Sequence, residues 1–296
     1  METAATPCPF EFAHEEYPLA PLTLYGVGGP ARVALIPRTR EEAVAAYAWM
    51  QAQPGKKGVL GGGSNVLIAD EGFPGTLLLT HELNRIEALG GDRYEVDSGA
   101  ILWDLVTGVM LPNNYAGVGG LTGVPGTVGG AIYMNAGTVS GTTCQLMDSV
   151  DVVLPGESAL RRIPMEESLY GYRGQSFCPP GGLILGGLFT FHPADEDQQA
   201  IYDRYIARRR EVQPQGKCCG SVFKNPEGDH AGRLIEACGL KGTRHGGAMV
   251  SDVHANFIMN EDNATAADIL GLIELVRRTV QERHGVELET EVVYVH

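Results

Sequence analysis

GVGGLTGVPGTVGGAIYMNAG, residues 117–137, decides how this chain is read. Eight glycines crowd it: Gly117, Gly119, Gly120, Gly123, Gly126, Gly129, Gly130 and Gly137. Glycine lets the backbone approach a ligand closely and enter turns closed to other residues. Successive exposed N–H groups make concavities suited to a pyrophosphate. A second loop of the same character, LGGGSN at 60–65, follows an apolar run. Two such loops point to a chain that wraps a dinucleotide. Each loop alone fits equally well as a tight turn in a glycine-rich β fold.

Composition bounds the rest. A chain of 296 residues predicts about two domains of roughly 150 residues each. With 44% hydrophobic and 20% charged residues, a folded globular protein is expected. The formal net charge of −14, from 22 basic and 36 acidic residues, argues against nonspecific binding of nucleic acid or anionic membrane. Anionic ligands would then need a locally positive site. The six cysteines show no paired metal spacing, and Cys218–Cys219 is not a C-x-x-C motif. No metal is expected. METAATPCPF has no leader pattern, and no apolar run approaches the ~20 residues of a membrane span. A cytoplasmic protein with free thiols is expected. No assembly motif is present, so a monomer is expected.

Pattern predicts a helix over 40–51, with Thr39 and Glu42 as a capping box and Ala43, Val44, Tyr47 and Met50 as its apolar face. Further helices are predicted over 103–109, from DEDQQ to Val212, over 231–238 and over 266–284. Strands are predicted at 57–60, 77–80, 93–97, 149–154 and 183–191. The segment 286–295 alternates as a final strand. Leu288, Val292 and Tyr294 share one face; Glu287, Glu289 and Glu291 share the other. The change in composition after residue 192 divides the chain into 1–192, with subparts 1–75 and 76–192, and 193–296.

Four local patterns bear on chemistry. GSVFKNP, 220–226, fits either a turn with a solvated Lys224 or a hydroxyl donor, Ser221, beside Lys224 and Asn225. It is not a G-x-S-x-G elbow. In LYGYRGQSF, 169–177, Arg173 among aromatics is either surface packing or a bidentate clamp for a carboxylate or phosphate. The acids of the last strand are either edge protection or contain one catalytic group, which alternation cannot choose. In HANFIMN, 254–260, His254 is more often structural than a catalytic base.

Read together and in order, these pieces resemble the UDP-N-acetylmuramate dehydrogenase (UDP-N-acetylenolpyruvoylglucosamine reductase, MurB) family. The resemblance runs from about Leu22 to Val292. It rests on GVGGPA (26–31), VLGGGSNVLIADEGFPG (59–75), GVPGTVGGAIYMNAG (123–137), GYR (171–173), GSVFKNP (220–226), AGRLIEACGLKG (231–242), GGAMVSDVHANFIMN (246–260) and LETEV (288–292). Each motif is weak alone; eight in one order are specific. The resemblance implies an α+β fold: an FAD-binding domain of the vanillyl-alcohol oxidase type, then a smaller α+β substrate-binding domain. The absence of G-x-G-x-x-G after an early strand agrees that this is not a Rossmann fold. The short run from 183–191 to GSVFKNP matches the shorter subtype, without a tyrosine-bearing loop.

The resemblance also implies a reaction in two halves. NADPH reduces noncovalent FAD, which reduces the enolpyruvyl group of UDP-N-acetylglucosamine enolpyruvate. By resemblance, Ser221 donates the proton, and Arg173 and Glu291 polarise the substrate carboxylate. Glu291 must itself be protonated to assist a carboxylate, which desolvation can achieve. The implied cofactor contacts are Gly61, Gly62, Gly63, Ser64 and Asn65 in the first loop. Gly99 and Ala100 line the ring. The second loop contributes Gly123, Val124, Pro125, Gly126, Thr127, Gly129, Gly130 and Ala131. Tyr172, Lys224, Asn225 and His254 would bind substrate. The sequence departs from the family pattern at 135–141, where NAGTVSG stands for NxGAYG, and at Gln175, Val212, Val293 and His296. None removes the three proposed catalytic residues. Two other readings stand beside this one: a flavin oxidase of an alcohol or lactone, and a noncatalytic nucleotide-binding protein.

Overall fold

The computed structural model describes residues 8–296. The opening METAATP, part of the stretch read as lacking a leader, lies outside the described residues. The chain forms two compact units. The first comprises residues up to 16, then 33–62 and 75–207; the second comprises 17–32, 63–74 and 208–296.

The first unit is built on a five-stranded antiparallel sheet. Its order is Arg161–Pro164, Met147–Val153, Leu183–Thr190, Arg93–Asp97, Ile86–Gly90. The nearly continuous apolar run at 183–189 is explained by its central place: every residue there is buried. Lys57–Leu60 pairs in parallel with Phe73–Leu79, from Lys57 opposite Thr76 to Leu60 opposite Leu79. Helix α1, Arg40–Ala52, begins where predicted. The Thr39 side chain accepts the N–H of Glu42 at 3.2 Å. The Glu42 carboxylate accepts from the N–H of Arg38 rather than closing the box on Thr39. The helix buries Ala43, Ala46, Tyr47 and Met50; Val44 is only half-buried.

The glycine-rich stretch is not one extended loop. It contains two short helices, α3 (Val118–Leu121) and α4 (Val128–Tyr133), preceded by α2 (Leu102–Leu105) and a π turn at Val106–Met110. Glycine has low helix propensity, but tertiary context overrides it here. Gly129 sits where an added Cβ would lie 2.6 Å from the Ser98 Cβ, so helix and strand ends pack too closely for a side chain.

The second unit gathers Tyr25, Val27 and Leu67 with the helices α6 (Ala231–Ala237) and α7 (Ala266–His284) in one core. Helix α5, Gln198–Val212, precedes them and buries only Gln198. Helix α7 has the predicted bounds. Thr265 and Asp268 cap each other reciprocally, and Gly285 closes the helix at φ 69°. Ile269, Leu272, Ile273, Val276 and Val280 are its buried stripe. The predicted strand over 286–295 is shorter, Val293–Val295, paired in parallel with Val66–Ile68. Leu288 and Val292 are buried as expected, but Tyr294 is exposed. The backbone before the strand is drawn off to pair with residues 222–224 instead. Among the described residues all cysteines are free thiols. Cys144, Cys178, Cys219 and Cys238 are buried, and Cys8 and Cys218 are half-buried. No helix of the described residues is long and apolar enough to cross a membrane.

Candidate active site

The first unit brings the two glycine-rich loops together. The Gly62 N–H donates to Thr127 Oγ1 at 3.2 Å. A Cβ on Gly61 would stand 3.0 Å from Thr127 Oγ1, and one on Gly62 would stand 2.9 Å from Thr127 Cγ2. Side chains are therefore excluded from this junction. Gly130, one turn on, is different: an added Cβ meets nothing closer than 3.8 Å. A bound group can approach the backbone there. The N–H groups of Val128 and Gly129 are already engaged by Ala100 and Ser98 carbonyls. Gly123 and Gly126 take positive φ and form the turn carrying Val124 and Pro125, with Pro125 exposed. Gly99 is fixed by packing, 2.1 Å from the Thr80 carbonyl for an added Cβ, and Ala100 and Ala131 are buried. This open face between two packed glycine turns fits a group such as the FAD implied by the family resemblance.

Arg173 lies between the two short paired strands Tyr170–Gly171 and Gly174–Gln175. Its φ of 53° is unusual for a non-glycine residue and serves the two-residue turn, Tyr172–Arg173, that joins these strands. It is half-buried, and its Nη2 donates to the Gly137 carbonyl at 3.3 Å. Its guanidinium carbon lies 5.2 Å from the Tyr172 ring centroid. Tyr172 is itself 60% exposed. The Asn135 amide donates to Gly171 O at 2.9 Å, which fixes this hairpin to the glycine-rich stretch.

The second unit contains the other predicted residues. Gly63, at φ 64°, packs against the Leu22 carbonyl, and Ser64 follows it. The Asn65 amide donates to the Glu291 carbonyl at 2.9 Å, so this residue of the first loop orients the segment carrying Glu291. Ser221, Asn225 and His254 line one cavity of about 360 Å³. Asn225 also caps α6, its Oδ1 accepting the Ala231 N–H at 3.1 Å. Lys224 pairs with Glu289. The His254 ring is held below the usual histidine range by burial first, then by the Lys241 charge.

Alternation could not choose among the three acids of the last segment; the structure separates them. The Glu287 and Glu289 side chains are 83% and 72% exposed. Glu291 is half-buried, its N–H donating to Val222 O at 2.8 Å. The sequence reading did not reach His230, Arg233 and Glu236, which line the same cavity. The available signal was the i, i+3 spacing of Arg233 and Glu236 within AGRLIEACGLKG.

Two family models match the chain. The C-terminal domain of UDP-N-acetylenolpyruvoylglucosamine reductase matches residues 213–295, and an FAD binding domain matches residues 31–162. A reductase of that name from Rubrobacter xylanophilus is 39% identical over 285 residues, covering 96% of this chain and 95% of its own length. Another from Chloroflexus aggregans is 39% identical over 292 residues, covering 93% and 95%. The crystal structure of the reductase (MurB) from Thermus caldophilus superimposes with a TM-score of 0.80 at 36% identity, covering 96% of this chain and 100% of its own. The α+β fold is thus an FAD-binding domain followed by the reductase's own C-terminal domain. With that match over nearly the whole length, this chain belongs to the UDP-N-acetylenolpyruvoylglucosamine reductase family.

Proposed function

We propose that this enzyme uses NADPH to reduce UDP-N-acetylglucosamine enolpyruvate to UDP-N-acetylmuramate, a step of peptidoglycan precursor synthesis serving cell-wall growth and division. One observation carries the assignment of chemistry: Ser221, Asn225 and His254 line a single cavity, and the backbone beside Ser221 pairs with that of Glu291. The protein works as a cytoplasmic monomer. Residues 1–192 serve the flavin, and 193–296 supply the substrate groups other than Tyr172 and Arg173.

Bound FAD supplies hydride transfer, from NADPH to the enolpyruvyl carbon remote from the carboxylate. The residues of this chain manage the charge and the proton. Hydride addition leaves an enediolate-like charge on the substrate carboxylate. Arg173 places fixed positive charge against it, where stabilisation of developing charge is most effective. Glu291, carrying its proton, shares that charge by hydrogen bonding. Ser221 Oγ–H gives its proton to the carbon next to the carboxylate, completing the reduced lactyl ether. A serine hydroxyl is a very weak acid, so it acts only on a strongly basic carbon held within reach. Lys224, Asn225, His254 and Tyr172 hold the nucleotide sugar.

Anaerobic NADPH oxidation by the purified flavoprotein tests the reading. Consumption that requires UDP-N-acetylglucosamine enolpyruvate supports it. Reduction of the flavin once, with no reoxidation by this substrate, overturns it. In Glu291→Gln, flavin reduction proceeds normally and reoxidation by substrate is slow.

A further inference from the structure

Ser221 is followed directly by two residues held from both sides. Val222 N donates to the Asn256 carbonyl at 2.9 Å. Asn256 Oδ1 accepts the Phe223 N–H at 3.0 Å, and its Nδ2 donates to Phe223 O at 2.8 Å. A side-chain amide here does the work of a neighbouring β-strand. On the opposite side, Val222 O accepts the Glu291 N–H at 2.8 Å, and Lys224 N donates to Glu289 O at 2.9 Å. Asn256 is 4% exposed, so each of its amide atoms depends on these partners.

The remaining polar atom of Asn256, its N–H, donates to His254 Nδ1 at 3.2 Å. Nδ1 is therefore an acceptor, and the ring proton of the neutral imidazole sits on Nε2. Ser251 Oγ accepts the N–H groups of Val253 and His254 at 3.1 and 3.3 Å, fixing the turn. The ring packs edge-on against Phe257 at 4.9 Å between centroids. The charged groups around it are Lys241 and Glu236, paired at 3.0 Å, with His230 and Arg233 of the same cavity; Arg233 is paired with Asp229. A proton on Nδ1 would set two N–H groups against each other and release Asn256.

We propose that Asn256, oriented by the imidazole of His254, is a positioning residue that fixes Ser221 for proton transfer. Asn256 also lines the cavity, but its amide is spent on Phe223 and its carbonyl on Val222, so it acts on Ser221 through their backbone. The proposal rests on the role of Ser221 given above. It also assigns His254 a second duty besides lining the cavity, and a protonation state: neutral, with Nε2–H as its donor.

Two measurements test it. The first needs no substrate. In the purified protein, the ¹⁵N resonances of His254 show an acceptor Nδ1 and a protonated Nε2 at neutral pH. The ring titrates below the ordinary histidine range. A proton on Nδ1 at neutral pH overturns the proposal. The second separates the half-reactions. Asn256→Ala slows flavin reoxidation by UDP-N-acetylglucosamine enolpyruvate about ten- to hundredfold, the cost of misplacing a reacting group. Flavin reduction by NADPH and the KM for the substrate change little. His254→Asn, whose Oδ1 falls near the former Nδ1, recovers part of the rate lost in His254→Phe. It also lacks the acid limb that wild type shows as pH falls through the folded His254 pKa. Equal loss in both half-reactions means a merely structural role and overturns the proposal, as does an acid limb that persists in His254→Asn. If the wild type itself is never reoxidised by this substrate, the reaction assignment fails; the ¹⁵N result still decides the His254–Asn256 contact.

Discussion

Asp151 has no exposed surface, yet its carboxylate faces two guanidinium groups. Arg40 Nη1 lies 2.9 Å from Asp151 Oδ2, and Arg162 Nε lies 2.8 Å from Oδ1. Arg40 reaches Glu95 as well, and its side chain is only 12% exposed. Asp151→Ala would leave the Arg40 charge short of its most buried partner. Because Arg40 keeps Asp97 at 2.5 Å as well as Glu95, the fold is expected to be destabilised by about 1–3 kcal/mol, read as a lowered urea midpoint at unchanged slope. At the reaction centre, Ser221→Ala is expected to keep flavin reduction by NADPH and slow reoxidation by substrate about 10²–10⁴-fold, measured in single turnover. Residue identity at these positions was partly legible. GSVFKNP and GYR could be singled out from residue type alone, but each kept a bland alternative. Alternation put Glu287, Glu289 and Glu291 on one face. It could not show that pairing with Val222 half-buries the last, because that pairing joins residues some seventy positions apart.

Among the elements, α7 shows what a sequence states plainly. Its apolar stripe, its Thr265 cap and its Gly285 stop are all local signals. The cap has a contributor that is not local. Both carboxylate oxygens of Asp70 accept N–H groups of the first turn, from Ala266 at 2.8 Å and Ala267 at 2.9 Å. Asp70→Ala is expected to cost about 1–2 kcal/mol, measured by chemical denaturation. Asp268 adds a pH dependence. The N–H groups of Thr265 and Gly247 hold its carboxyl below the usual range. Because the folded pKa is the lower, this contribution is present above the unfolded value and is lost as pH falls through the folded one. The acid side of a pH–stability profile is expected to soften in Asp268→Asn. The strands Ala13–Pro18, Pro30–Leu35 and Val66–Ile68 escaped the sequence reading. They are short or half-exposed, and their apolar pattern becomes meaningful only against distant partners. The short helices of the glycine-rich stretch escaped because glycine content speaks against the conformation that packing imposes.

At the scale of the molecule, the second unit is not a contiguous piece of chain. Its core takes Tyr25 and Val27 from one early segment and Leu67 from another. Among the described residues Val66–Ile68 is the one strand paired with Val293–Val295, and Asn260 Nδ2 donates to Tyr25 O at 2.8 Å. A fragment of residues 208–296 is therefore expected to lack fixed packing. Near-ultraviolet circular dichroism would show little signal from it, while far-ultraviolet helix signal persists. A native-like spectrum would mean that the early segments are accessory. Family membership was legible from motif order, because order along the chain survives whatever path the chain takes in space. The assembly of the second unit from three separate segments was not, because it is carried by contacts within that unit between residues more than a hundred positions apart.

The free thiols give this molecule a chemical clock. Reaction with an electrophile requires the thiolate. Burial pushes Cys144 and Cys219 up to about 12 and Cys178 up to about 11. In the native protein only Cys8 and Cys218 offer surface to a reagent. Under mild alkylation, Cys8 is expected to be modified first and Cys218, whose thiol burial also raises, more slowly. The four buried ones follow only as often as the chain opens, so the slow phase of labelling, read by intact mass, measures the frequency of opening without any cofactor or substrate.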